Sequence, residues 1–81
     1  MAKLLFLGRL EQAAGCTELS ISLYGRVGLG QLLALLSDAL AEQLRSPQIK
    51  LAVNGQLVSD VNALEIADSD ELAFLPPVSG G

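Results

Sequence analysis

Eighty-one residues, 51 % hydrophobic and 17 % charged, make one small domain, too apolar for a disordered tail and too short for two cores. The net charge of −4, from 5 Lys+Arg against 9 Asp+Glu, disfavours nucleic-acid binding and favours a basic partner surface over an acidic one. With no histidine and a single cysteine, Cys16, the chain lacks the commonest general base and metal ligand and can form no internal disulfide.

Residues 3–10 read as a strand with apolar positions on both faces. Lys3 and the run Leu4-Leu5-Phe6-Leu7 begin like a secretion signal, but the run stops at Gly8-Arg9. No stretch approaches the ~20 apolar residues of a membrane span, so the chain reads as a cytoplasmic protein with no membrane partner. Gln12 to Cys16 reads as a turn, with Cys16 a small loop residue. Residues 17–23 alternate, with Leu19, Ile21 and Leu23 on one side, which predicts a half-buried strand.

Leu29 to Arg45 is the one strong helical segment: Leu29, Leu32, Leu33, Leu36, Leu40 and Leu44 follow a single face, and Leu35 lies off it. No Ser, Thr or Asp cap precedes it, so its start is placed loosely at Gly28; Pro47 closes it. Residues 49–53 form an alternating strand, Asn54-Gly55 a two-residue hairpin turn, and residues 56–59 a short return strand. Asp60 to Asp70 is turn-like, anchored by Leu64 and Ile66, and Glu71 to Leu75 is the last strand.

The order strand, strand, helix, strand, strand, strand leaves one helix to cover one sheet. Its core would hold Leu4, Phe6, Leu19, Ile21, Leu23, the helix stripe, Ile49, Leu51, Val53, Leu72 and Phe74. Leu5, Leu7, Ala52, Ala73 and Leu75 then share the opposite face, and an apolar patch there marks a partner surface.

Residues 1–75 form the domain, and residues 76–81, Pro-Pro-Val-Ser-Gly-Gly, an extended tail. Pro76 and Pro77 fix φ and stiffen the exit from the last strand. Gly80 and Gly81 then present a slim backbone ending in a carboxylate, able to thread a narrow slot, with no Cβ to hinder attack at the terminal carbonyl.

Ala52-Val53-Asn54-Gly55, Asp68-Ser69-Asp70-Glu71-Leu72-Ala73-Phe74 and the terminal Pro76-Pro77-Val78-Ser79-Gly80-Gly81 resemble the small, sulfur-carrier subunits of molybdopterin synthases. The resemblance spans the chain, with the amino-terminal half matching in pattern; Ser69 departs from the glycine common before Asp-Glu, which bears on the turn geometry. It implies an α+β, ubiquitin-like β-grasp fold: a mixed sheet of about five strands covered on one face by a single main helix. It also implies that an ATP-using activating enzyme adenylates the Gly81 carboxylate and that a sulfur donor protein converts it to a thiocarboxylate. With Gly80 and Gly81 as the reactive end, the tail would enter the large synthase subunit and pass sulfur to cyclic pyranopterin monophosphate. Leu7, Ala73 and Leu75, with Pro76, Pro77, Val78 and Ser79, would dock on the partners. The chain would bind no cofactor or metal itself, and the acid and base groups would belong to the large subunit.

The alternatives share the fold. One is a sulfur carrier for thiamine, cysteine or tRNA thiolation, and another a protein modifier forming isopeptide bonds to lysine, with Lys3 and Lys50 the only acceptors for a second copy. A third is an interaction module whose tail is inert.

Overall fold

The computed structural model describes residues 1–77; Val78, Ser79, Gly80 and Gly81 lie outside the described residues. The strands are β1 (Ala2–Phe6), β2 (Glu18–Ile21), β3 (Lys50–Val53), β4 (Gln56–Leu57) and β5 (Glu71–Leu75). They form one mixed sheet in the order β2-β1-β5-β3-β4. β5 is central, parallel to β1 and antiparallel to β3. The other pairs, β1 with β2 and β3 with β4, are antiparallel.

Alternation along β1 and β5 puts Leu4, Phe6, Leu72 and Phe74 on the covered face, each at most 1 % exposed. The Phe6 and Phe74 rings, partners in the parallel register, stack with centroids 5.8 Å apart. Such a pair contributes roughly 0.5–1.5 kcal/mol beyond its buried area. Leu23, Leu51 and Ile66 complete this layer. Leu19, Ile21, Ile49 and Val53, expected in the core, are only partly buried and pack at its margin. The edge position of β2 leaves Leu19 and Ile21 covered from one side only.

Three expectations about the helices and the segments beside them are corrected. The first strand ends at Phe6, not at residue 10: Gly8 turns the chain at φ +57, and Leu10–Ala14 form a short helix, α1. This helix also replaces most of the turn expected at residues 12–16, and Gly15 closes it with its N–H donating to the Glu11 carbonyl. Its driving contact is Leu10, 3 % exposed within the core, which an extended path could not place beneath the helices.

The third correction concerns the long helix. The segment Leu29 to Arg45 is two helices, α2 (Leu29–Leu33) and α3 (Asp38–Leu44). Between them Ser37 is extended, at φ −61 and ψ 151, and its hydroxyl accepts from the Leu40 N–H at 3.3 Å. Serine competes for backbone donors in this way, which makes it a better cap than an interior residue. The apolar stripe survives the break, since Leu32, Leu33, Leu40 and Leu44 are buried and Leu35 stays exposed. Gly28 does start α2, where the Gln31 side chain reaches back to accept its N–H at 2.9 Å.

Asn54 (φ +51) and Gly55 (φ +85) form the hairpin turn between β3 and β4, both left-handed as such a turn requires. The return strand is shorter than expected, two residues, though the Val58 N–H still donates to the Leu51 carbonyl. Within the following loop Val61–Ala63 form a single 3-10 turn, and Ile66 pairs with Val27 by a bridge that draws the loop beneath α2.

Candidate functional site

The open face of the sheet is built by register. Leu5 lies opposite Ala73, Ala73 opposite Ala52, and Ala52 opposite Leu57. Because directly paired residues point to the same side, these four make an apolar row across β1, β5, β3 and β4. Leu75, opposite Lys50, adds to it from the end of β5. The Leu7 N–H donates to the Phe74 carbonyl at 3.2 Å, carrying the strand path one residue past β1 and keeping Leu7 on the side of Leu5.

No described loop closes over this row. Leu57 is 72 % exposed and Leu7 43 % exposed, and Leu5, Ala52, Ala73 and Leu75 are half-buried. The structure therefore brings together Leu7, Ala73 and Leu75, as the sequence suggested. It adds Leu57, which the sequence reading placed in the return strand without a face. Its signal was present: counted back through the Asn54-Gly55 turn, Leu57 pairs with Ala52.

Charges rim the patch. Lys3 pairs with Glu18 at 3.8 Å and sits in register with Glu71. Both members of that ion pair are about half exposed, so it contributes little to stability and leaves the rim accessible.

The tail root adjoins this face. Pro76 and Pro77 follow Leu75 directly and are half-buried. Pro76 packs over Gly8: a Cβ on Gly8 would stand 3.0 Å from Pro76 Cγ, so the left-handed glycine both turns β1 and leaves room for the proline ring. Pro77 borders a small cleft with Arg9, Gln43 and Gln48. The other expected tail residues, Val78, Ser79, Gly80 and Gly81, lie outside the described residues.

The motif residues Asn54 and Asp70 form a clasp behind the site. Asn54 Nδ2 donates to Asp70 Oδ1 at 3.0 Å, and Asn54 Oδ1 accepts the Glu71 N–H at 3.0 Å. Asp70 Oδ2 accepts the Ala67 N–H at 2.8 Å. That N–H, with the Asn54 amide second, holds the Asp70 carboxyl below the ordinary carboxylate range. Asp68 is lowered likewise by the Leu23 N–H, at 2.8 Å, and by the terminal ammonium of Met1, at 3.1 Å. Together these bonds fix where β5 starts, and hence where its far end delivers the tail. Ser69 occupies the turn closed by the Asp70 N–H donating to the Ala67 carbonyl, and no residue there needs positive φ, so serine fits in place of the glycine common at this point of the motif.

Among the described residues no group of three or more His, Cys, Asp or Glu side chains is placed to hold a metal, and no helix is long and apolar enough to cross a membrane.

Comparison with known proteins agrees with this architecture. The molybdopterin synthase sulfur carrier subunit of Escherichia coli is 37 % identical over 83 residues, covering 100 % of both chains. The crystal structure of the small archaeal modifier protein 1 of Haloferax volcanii superposes with a TM-score of 0.77 at 25 % identity, covering 99 % of this chain and 98 % of that one. A protein–protein complex of subunits 1 and 2 of the molybdopterin-converting factor from Helicobacter pylori contains a chain matching at TM-score 0.67 and 27 % identity, over 99 % and 97 % of the two chains. Residues 4–81 match the model of the ThiS family. With an open sheet face, a proline-stiffened exit from its central strand and that match over nearly its whole length, the chain belongs to the ThiS family.

Proposed function

We propose that this chain is a sulfur carrier of the molybdopterin synthase small-subunit type, loaded at the Gly81 carboxyl. The observation that carries the reading is the end-to-end similarity to the Escherichia coli sulfur carrier subunit, together with the Pro-Pro-Val-Ser-Gly-Gly terminus. A carboxylate has a poor leaving group. An ATP-using activating enzyme would join it to AMP with release of pyrophosphate, and sulfur from a donor protein would displace the AMP to leave a thiocarboxylate. The thiocarboxylate sulfur would pass to cyclic pyranopterin monophosphate inside the large subunit. The carrier would then leave, reload and return, since a dithiolene needs two sulfurs.

Leu5, Leu7, Leu57, Ala73 and Leu75 are the docking face in this reading, used in turn by the large subunit and the activating enzyme. The complex of subunits 1 and 2 from Helicobacter pylori supports a large-subunit partner. ATP belongs to the activating enzyme, and the acid and base groups to the large subunit, in keeping with a chain without histidine. A cytoplasmic location fits ATP-dependent loading.

The resemblance to archaeal modifier proteins supports a second reading, in which the activated Gly81 is passed to lysine amines. Intact-mass analysis after incubation with ATP, the activating enzyme and a sulfur source separates the two. One oxygen-for-sulfur exchange confined to Gly81 is the result expected of the carrier. A product joined through lysine, with no sulfur gained, would transfer the assignment to the modifier.

A further inference from the structure

The tail leaves the sheet between two cations that no carboxylate answers. Three segments meet at its root: residues 7–10 beyond β1, residues 45–50 leading from α3 into β3, and residues 75–77. Register and packing bring them together. Lys50 stands opposite Leu75, on the open side of the sheet. Pro76 lies over Gly8, and Pro77 shares its small cleft with Arg9, Ser46 and Gln48.

The charge here runs against the rest of the molecule. The chain has nine Asp and Glu residues, and none falls in these three segments. Arg9 and Lys50 are exposed and make no ion pair among the described residues. Toward the other end of the sheet the cations are answered, Lys3 by Glu18 and Arg26 by Glu65. Four residues follow Pro77, a reach of at most about 14 Å. When the tip enters a slot, the root is therefore held close to the rim of that slot, and its charges bear on the rim rather than on the floor.

We propose that Arg9 and Lys50 form a cationic collar that meets carboxylates at the rim of the slot in the protein that takes the tail. This rests on the carrier reading above, in which that protein is the large synthase subunit. The tip of the tail is an anion and suits a cationic floor; the root has the opposite sign and suits an anionic rim. Only a tail-first approach brings both to their complements, so the pattern orients the encounter of an otherwise acidic protein. It also discriminates: a slot with a basic rim repels the collar.

The test measures association of the full chain with the large subunit of the same organism by stopped-flow at low and high salt. Charges at a rim act chiefly on the association rate and its salt dependence. Arg9→Glu and Lys50→Glu are each expected to slow association at least about threefold at low salt, with the difference from the unaltered chain vanishing at high salt. Arg9→Gln and Lys50→Gln are expected to fall between. Arg26→Glu makes the same charge change at an exposed site away from the tail root and is expected to slow association less than either. Unfolding midpoints check that each variant is folded. An unchanged or faster association of the Glu variants, equal slowing by Arg26→Glu, or slowing that persists at high salt would each overturn the collar. Intact-mass analysis of sulfur loading is read on the same samples. A chain that gains sulfur at Gly81 but gives any of those results loses the collar alone, whereas a chain that neither gains sulfur nor binds the large subunit loses the carrier reading and the collar with it.

Discussion

Gly8 and Pro76 show how a single backbone angle controls the site. Gly8 sits at φ +57, where an L side chain is strained, and its missing Cβ is the space that Pro76 occupies. Gly8→Ala is therefore expected to lower stability by about 1–2 kcal/mol in urea unfolding, from the left-handed conformation alone. The shift should also reach the amide signals around Leu75 and the tail root.

Asp68 and Asp70 are expected to make stability depend on pH in the acid range. Both carboxyls are held below their unfolded values, so their contribution to stability is complete above the unfolded pKa of about 4 and is lost as pH falls through the lower folded values. Unfolding midpoints measured between about pH 5 and pH 2 should fall with pH, more gently in Asp70→Asn. These acids and Asn54 belong to the motifs by which the sequence resembles its relatives, and their hydrogen bonds position β5.

Among the secondary-structure elements, the broken helix is the clearest case of local chemistry overriding periodicity. The leucine spacing runs unbroken from Leu29 to Leu44, and it says which side of the segment is buried. It does not say whether the axis is straight. Ser37 decides that by leaving the helical conformation and capping α3, whose Leu40 and Ala41 are buried in the core. Ser37→Ala should cost about 1 kcal/mol in thermal or urea unfolding, with Ser37→Asp restoring it. Helix α1 was illegible for a different reason. Five residues form too short a helix to be stable alone or to show a period, and it exists because Leu10 is buried by the rest of the fold.

The whole molecule separates its surfaces. One side of the sheet is closed by α2, α3 and the 60–70 loop, and the other remains an apolar row with a charged rim. Leu57 stands farthest out of that row, at 72 % exposure. Leu57→Asp is expected to leave the unfolding midpoint nearly unchanged, because surface substitutions of this kind fall within about 0.5 kcal/mol. It should weaken binding to the large subunit at least about tenfold by titration calorimetry, the loss typical of an anchor residue.

The sequence by itself determined the alternating strands, the buried leucine stripe and the Asn54-Gly55 hairpin, because each is a local pattern with a local cause. It also foretold the outer patch of Leu7, Ala73 and Leu75, since alternation assigns faces once the inner side is known. Only the tertiary structure decided that β5 lies in the middle of the sheet beside β1 and that Leu57 joins the patch. Those facts rest on pairings between segments far apart in the chain. Such pairings are set by which faces can be buried together, a property of the assembled sheet and helices that no single stretch of residues contains.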